Sequence, residues 1–150
     1  MEPQAQQEAL VVPSGEAKPL VVLGDHQTVK ISGAQTNGAF AVIEQNNPAG
    51  VGVPPYYHTK EDEIFYVVDG EIEFTVDGKK IIGKPGMTVY LPRRVRHSFQ
   101  CVGAGMNKAL ITVVPAGNEV MFQELSELPP GPPDIAKITA ICAKYGVVLG

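Results

Sequence analysis

The stretch Ile72-Glu73-Phe74-Thr75-Val76 constrains the fold more than any other, because it alternates strictly and has Asp-Gly on both sides. Ile72, Phe74 and Val76 share one face, while Glu71, Glu73 and Thr75 share the other. This is the period-two pattern of a strand with one buried and one solvated face. Asp69-Gly70 separates it from Phe65-Tyr66-Val67-Val68, and Asp77-Gly78 separates it from Lys79-Lys80-Ile81-Ile82. Asp-Gly suits a type I′ turn, whose central residues need positive φ and whose twist matches that of the flanking strands. Two successive antiparallel hairpins are therefore expected.

Short apolar runs between breakers continue on either side. Leu20-Val21-Val22-Leu23 and Thr28-Val29-Lys30-Ile31 read as strands around a turn at Gly24-Asp25-His26-Gln27, with His26 a solvated loop residue. Phe40-Ala41-Val42-Ile43-Glu44 is another strand, ended by the breakers Asn46-Asn47-Pro48-Ala49-Gly50. Strand-like runs follow over residues 88–91, 97–102 and 109–114. Roughly eight to ten short strands at regular spacing predict an all-β fold, either a closed antiparallel barrel or a two-sheet jelly roll. The 16 glycines and 13 prolines suit its turns, and 150 residues is the length of one domain.

After Pro115 the period changes. Val120, Met121, Leu125 and Leu128 fit one helical face, closed by Pro129-Pro130-Gly131-Pro132-Pro133. Asp134 reads as the N-cap of a second helix carrying Ile135, Ile138, Ile141, Cys142 and Tyr145, stopped by Gly146. The expected division is an N-terminal arm over residues 1–19, a β body over 20–115 and a C-terminal helical segment over 116–150. Within the arm, Leu10-Val11-Val12 is the one apolar run suited to adding an edge strand.

Composition narrows the functional classes. No apolar run approaches the roughly 18 residues that span a bilayer, so no membrane partner is expected. The polar, acidic start Met1 to Glu8 lacks the basic-then-apolar layout of a signal peptide, and a cytoplasmic location follows as the default. A net charge of −4 lends nothing to nucleic-acid binding. Seven acids and no base lie between Glu61 and Asp77, and six bases and no acid lie between Gly78 and Arg96. That segregation reads as cross-strand pairing on an outer sheet face. Cys101 and Cys142 are too few for a disulfide framework and read as small buried hydrophobes.

The chemistry sits in Tyr56-Tyr57-His58-Thr59-Lys60-Glu61-Asp62-Glu63. Residues two apart on a strand face the same way, so Tyr56 and His58 point inward together. Lys60-Glu61-Asp62 is a polar tip that lets the chain bend back and return Glu63 to the same face. His97 arrives two strands later. Two imidazoles and a carboxylate are ordinary ligands for iron, manganese, nickel, copper or zinc, and form the facial set of non-haem Fe(II) oxygenases.

These residues resemble the cupin family. Its first motif runs glycine, five residues, His-x-His, three or four residues, Glu, six residues, Gly; Gly50, Tyr56, His58, Glu63 and Gly70 stand at those places. Its second runs glycine, five residues, Pro-x-Gly, two residues, His, three residues, Asn; Gly86, Pro92, Arg94, His97 and Cys101 stand there. With the surrounding strands the resemblance covers about residues 20 to 115, and the last helix is similar to that of small single-domain, quercetin dioxygenase-like members. It implies a cupin β-barrel over 20–115, a divalent transition metal held by His58, Glu63 and His97, a small-molecule substrate and a homodimer made through exposed β-edges. The walls, including Phe65, Val67 and Phe74, would line an apolar pocket.

Three positions depart from the family pattern. Tyr56 replaces the first histidine: it coordinates as a phenolate, or hydrogen-bonds a metal-bound water or substrate as a neutral phenol, which needs only a polar partner, or is a buried mouth residue filling the space a histidine left. Arg94 replaces a glycine, and with Arg93 and Arg96 forms either a substrate clamp or a solvated loop cluster. Cys101 replaces the asparagine and reads as structural. The implied function is a metal-dependent oxygenase acting on a small organic molecule. A non-catalytic small-molecule-binding protein and a metal-dependent isomerase or lyase are the alternatives.

Overall fold

The computed structural model describes residues 7–150, so the polar, acidic start over residues 1–6 lies outside the described residues. The strands are β1 (Lys18–Val22), β2 (Asp25–Ile31), β3 (Ala41–Asn47), β4 (Gly52–His58), β5 (Asp62–Asp69), β6 (Ile72–Val76), β7 (Lys79–Gly83), β8 (Thr88–Leu91), β9 (His97–Cys101), β10 (Asn107–Val114) and β11 (Val147–Leu149). Two helices, α1 (Asn118–Ser126) and α2 (Ile135–Lys144), separate β10 from β11. The strands form two antiparallel sheets, ordered β1-β2-β3-β10-β5-β8 and β11-β4-β9-β6-β7. That arrangement is consistent with the expected jelly roll.

The two Asp-Gly signals have different outcomes. Asp77-Gly78 closes the β6–β7 hairpin, with φ of 48° and 79° and Val76 opposite Lys79, as a type I′ turn requires. Asp69-Gly70 makes no hairpin, because β5 belongs to the six-stranded sheet and β6 to the five-stranded one. The chain crosses between sheets there, and a distant residue builds the corner: the Glu71 backbone N–H donates to Asn107 Oδ1 at 2.8 Å. Gly70 has φ of 74°, and a Cβ at that position would overlap Asn107 Oδ1 and lie 2.8 Å from Asn107 Cα. Glycine is the residue both constraints admit.

A second correction falls at residues 24–27. The turn is Leu23-Gly24, with φ of 53° and 86°, and Asp25 to Gln27 already belong to β2. Asp25 and Gln27 consequently turn inward and are buried with Gln45 and Asn47. The three side-chain amides donate to the Asp25 carboxylate at 2.7 to 2.9 Å, satisfying a group that would be costly to bury alone. His26 is exposed as expected, though on a strand.

One apolar core lies between the sheets, with Phe65, Phe74, Ile43 and Val113 among its fully buried members. A second fills the space under the helices, where Met121 and Leu125 of α1 and Ile138 and Cys142 of α2 meet Leu20 and Val22 of β1. Phe122 packs against both. Asp134 caps α2 by accepting from Lys137 N–H, and Gly146 ends it with φ of 78°. The chain then adds β11 beside β4, Val147 opposite His58 and Leu149 opposite Tyr56. Arg93 with Asp62 and Lys80 with Glu73 join the basic and acidic segments. Both cysteines are free and buried.

Candidate metal centre

His58 closes β4, Glu63 stands near the start of β5 and His97 opens β9, so two sheets contribute to one point. The turn between β4 and β5 is short, and it returns Glu63 to the face of His58. His58 Nε2 lies 2.5 Å from Glu63 Oε1, and His97 Nε2 lies 3.4 Å from the same oxygen. One ligand atom from each of the three residues falls within 4.8 Å of the others. All three residues are 2–3% exposed.

Three facing atoms, His58 Nε2, Glu63 Oε1 and His97 Nε2, are buried and make no properly directed hydrogen bond. Buried polar atoms are normally satisfied, and three converging orphans are the exception that a shared cation explains. Ligands about 2 Å from one ion stand roughly 3 to 4 Å apart, the scale of the cluster. Two neutral imidazoles and one carboxylate leave a divalent ion partly uncompensated, with room for further ligands. The donor set therefore fits a divalent transition metal.

The outer nitrogens matter equally. His97 Nδ1 lies 3.0 Å from the Val95 carbonyl, which can only accept, so Nδ1 carries a proton and Nε2 is the nitrogen turned toward Glu63. His58 Nδ1 lies 3.3 Å from Glu61 Oε2. Glu61, in the polar tip between β4 and β5, is 5% exposed, its carboxylate turned in toward the histidine. Asn118, the first residue of α1 and wholly buried, turns its amide nitrogen Nδ2 toward the same Nδ1 at 3.0 Å. Sequence spacing gives no signal for Asn118, which is 60 residues from His58.

In the metal-free protein these contacts hold the site charged. Burial opposes protonation of His58, but the Glu63 carboxylate and the bond to Glu61 outweigh it and raise the imidazole to about 9. Burial likewise opposes ionisation of Glu63, but the adjoining His58 and His97 bring it down to about 2.

Tyr56 lies beside the cluster, its ring 4.4 Å from that of His97 and 5.3 Å from that of His58, centre to centre. Burial, with the charges of Glu63 and Asp25, pushes its phenol well above 10, so the hydroxyl keeps its proton. The structure does not bring Arg94 into the cluster. Its side chain is exposed, while its backbone N–H donates to the His58 carbonyl at 2.6 Å. Its φ of 69° is the left-handed conformation that explains a glycine in the family motif. Phe65, Val67 and Phe74, expected to line a pocket, are fully buried in the core and leave no surface for a ligand.

Comparison with known proteins places this geometry. The family model described as a cupin domain matches residues 43–114. Quercetin 2,3-dioxygenase of Bacillus subtilis (strain 168) is 31% identical over 119 residues. This chain is a cupin. The aligned region is 78% of this chain and 34% of the Bacillus protein, so the chain spans about a third of that relative's length. Among solved structures, KdgF from Halomonas sp. superposes with a TM-score of 0.66 at 18% identity, covering 75% of this cupin and 99% of KdgF. A protein described as a predicted oxalate decarboxylase from Thermotoga maritima gives a TM-score of 0.63 at 25% identity, covering 71% of this chain and 99% of that one. Both likenesses concern the fold. No helix among the described residues is long and apolar enough to cross a membrane.

Proposed function

We propose that this cupin holds a divalent transition metal through His58, Glu63 and His97 and acts as an oxygenase on a small organic molecule. The observation that carries the reading is the convergence of three buried, otherwise unpartnered ligand atoms. The Bacillus relative is named as a dioxygenase, which favours that reaction class over others. A metal bound there supplies Lewis acidity and, if redox-active, a route for electrons to dioxygen.

The chain's own residues do the rest. Val95 and Glu61 hold the outer nitrogens of His97 and His58, so that both inner lone pairs face the same point. Glu63 contributes one negative charge, and its burial excludes competing water. Tyr56 keeps its hydroxyl proton and orients or protonates the substrate beside the cluster. Arg94, exposed and bonded through its backbone N–H to the His58 carbonyl, meets an acidic group of the substrate. We also propose the closed cupin barrel over 20–115, flanked by an arm at 1–19 and a helical segment at 116–150, a cytoplasmic location, and a homodimer through exposed edge strands. Edge strand β8, where Tyr90 is 60% exposed, supports the last of these.

The test is metal analysis of protein purified without an affinity tag, before and after reconstitution, with His97→Ala alongside. One metal per chain, lost in the variant, is expected. Substoichiometric metal that reconstitution does not raise, and that His97→Ala does not change, refutes the metal site. Dioxygen consumed with turnover separates an oxygenase from an isomerase or lyase. A ligand held equally well by the His58→Ala/His97→Ala double variant indicates non-catalytic binding. Sedimentation decides the dimer.

A further inference from the structure

The helix that follows the family-matched region reaches back into the site. Asn118 lies beyond residues 43–114, is wholly buried and sits 3.0 Å from His58 Nδ1. Its helix starts at a fixed place: Glu119 accepts from Gly117 N–H at 2.9 Å and from Gly33 N–H at 3.0 Å, tying α1 to the loop before β3. The second neighbour of Nδ1 is the buried carboxylate of Glu61, at 3.3 Å.

Proton placement on His58 decides whether it can be a ligand. A carboxylate facing Nδ1 accepts a proton from it, and an Nδ1–H imidazole leaves the Nε2 lone pair free toward Glu63 and His97. The atom at that 3.0 Å is the Asn118 amide nitrogen, Nδ2, which would set two donors against each other across an Nδ1–H. The amide oxygen Oδ1 is buried and without a partner. A half-turn of the terminal amide exchanges nitrogen and oxygen, which are near-equal in shape, and brings that acceptor onto Nδ1–H.

We propose that Asn118, accepting through Oδ1, and Glu61 together hold a proton on His58 Nδ1. Asn118 is thus a positioning residue through which helix α1 sets the ligand competence of the metal centre. The inference rests on the metal reading above. It adds a residue outside the two sheets that the His-x-His motif does not predict. Outer partners of ligating histidines typically contribute about 10- to 100-fold in metal affinity.

The experiment measures zinc affinity by chelator competition for wild type, Asn118→Ala and Asn118→Asp, with imidazole-nitrogen NMR on the metal-free and zinc-loaded wild type. Asn118→Asp, when ionised, keeps an acceptor and has no hydrogen to donate, so it is expected to bind zinc within a few-fold of wild type. Asn118→Ala is expected to bind about 10- to 100-fold more weakly. NMR is expected to find a proton on His58 Nδ1 in both wild-type forms. Equal losses in the two variants would mean that Asn118 donates, and wild-type affinity in Asn118→Ala would mean that it does not matter; either overturns the proposal. A bare Nδ1 in the metal-free wild type overturns it as well, even if the variants fail to fold. Should wild type take up no zinc at all, the metal reading fails, and NMR of the metal-free protein at a pH where the His58 ring is neutral still decides which nitrogen keeps the proton.

Discussion

The coupling of His58 to Glu63 in metal-free protein gives a stability that must vary with pH in a defined direction. The imidazole rises from 6.5 to about 9 in the folded chain, so its contribution is complete below 6.5 and is lost as pH rises through about 9. The carboxylate falls from 4.5 to about 2, so its contribution is present above 4.5 and is lost as pH falls through about 2. Both changes describe the same contact and are counted once. The full contribution holds between about pH 4.5 and 6.5 and is on the order of 3 kcal/mol, at about 1.4 kcal/mol for each tenfold change in proton affinity. Raising pH from about 5.5 to 8.5 should remove roughly 2 kcal/mol of it, with close to one proton bound on folding over the steep part. Urea denaturation of chelator-treated protein across that interval is the assay, with Glu63→Gln as the control. Without the Glu63 carboxylate only Glu61 opposes the burial of His58, and the slope should shrink, vanish or change sign. Flat wild-type stability from about pH 6.5 to 8.5, or the same slope in Glu63→Gln, would refute the coupling argument.

Three further outcomes follow from the fold. Gly70→Ala forces a Cβ onto Asn107 Oδ1 at φ of 74°, and thermal denaturation should show a loss of about 2 kcal/mol or more. Phe65→Ala empties a fully buried site against Phe74 and Phe99 and should cost about 3 to 5 kcal/mol in urea. Burial raises the Asp25 carboxyl above 3.8 despite its three amide donors, so the folded chain binds that proton more readily than the unfolded one. Stability from this group should therefore grow as pH falls through its folded value, and Asp25→Asn should abolish that limb of the denaturation profile.

Much of the site was legible because it lies on alternating strands. Period two places Tyr56 and His58 on one face, and the spacing to Glu63 and His97 matches a known motif. Most strand positions, the Asp77-Gly78 hairpin, and the Asp134 cap and Gly146 stop around α2 are local signals, and they hold. What failed was information carried by distant partners. Asp69-Gly70 has the chemistry of a hairpin turn, yet Asn107 draws the chain across to the other sheet. Glu61 is a charged residue in a polar run, and its burial depends on the imidazole and helix packed against it. Val147–Leu149 is too short to announce a strand and becomes one because the β4 edge is open to it.

The sequence by itself determined that this is a mostly β cupin with two histidines and a glutamate at the spacing of the family motif, since strand alternation and turn chemistry act over a few residues. Tertiary structure alone decided how those side chains are held. The proton positions on His58 and His97, the protonated phenol of Tyr56 and the arrival of Asn118 depend on burial and on contacts between residues far apart in the chain. A local pattern cannot encode the desolvation or the hydrogen-bond partners that only folding supplies.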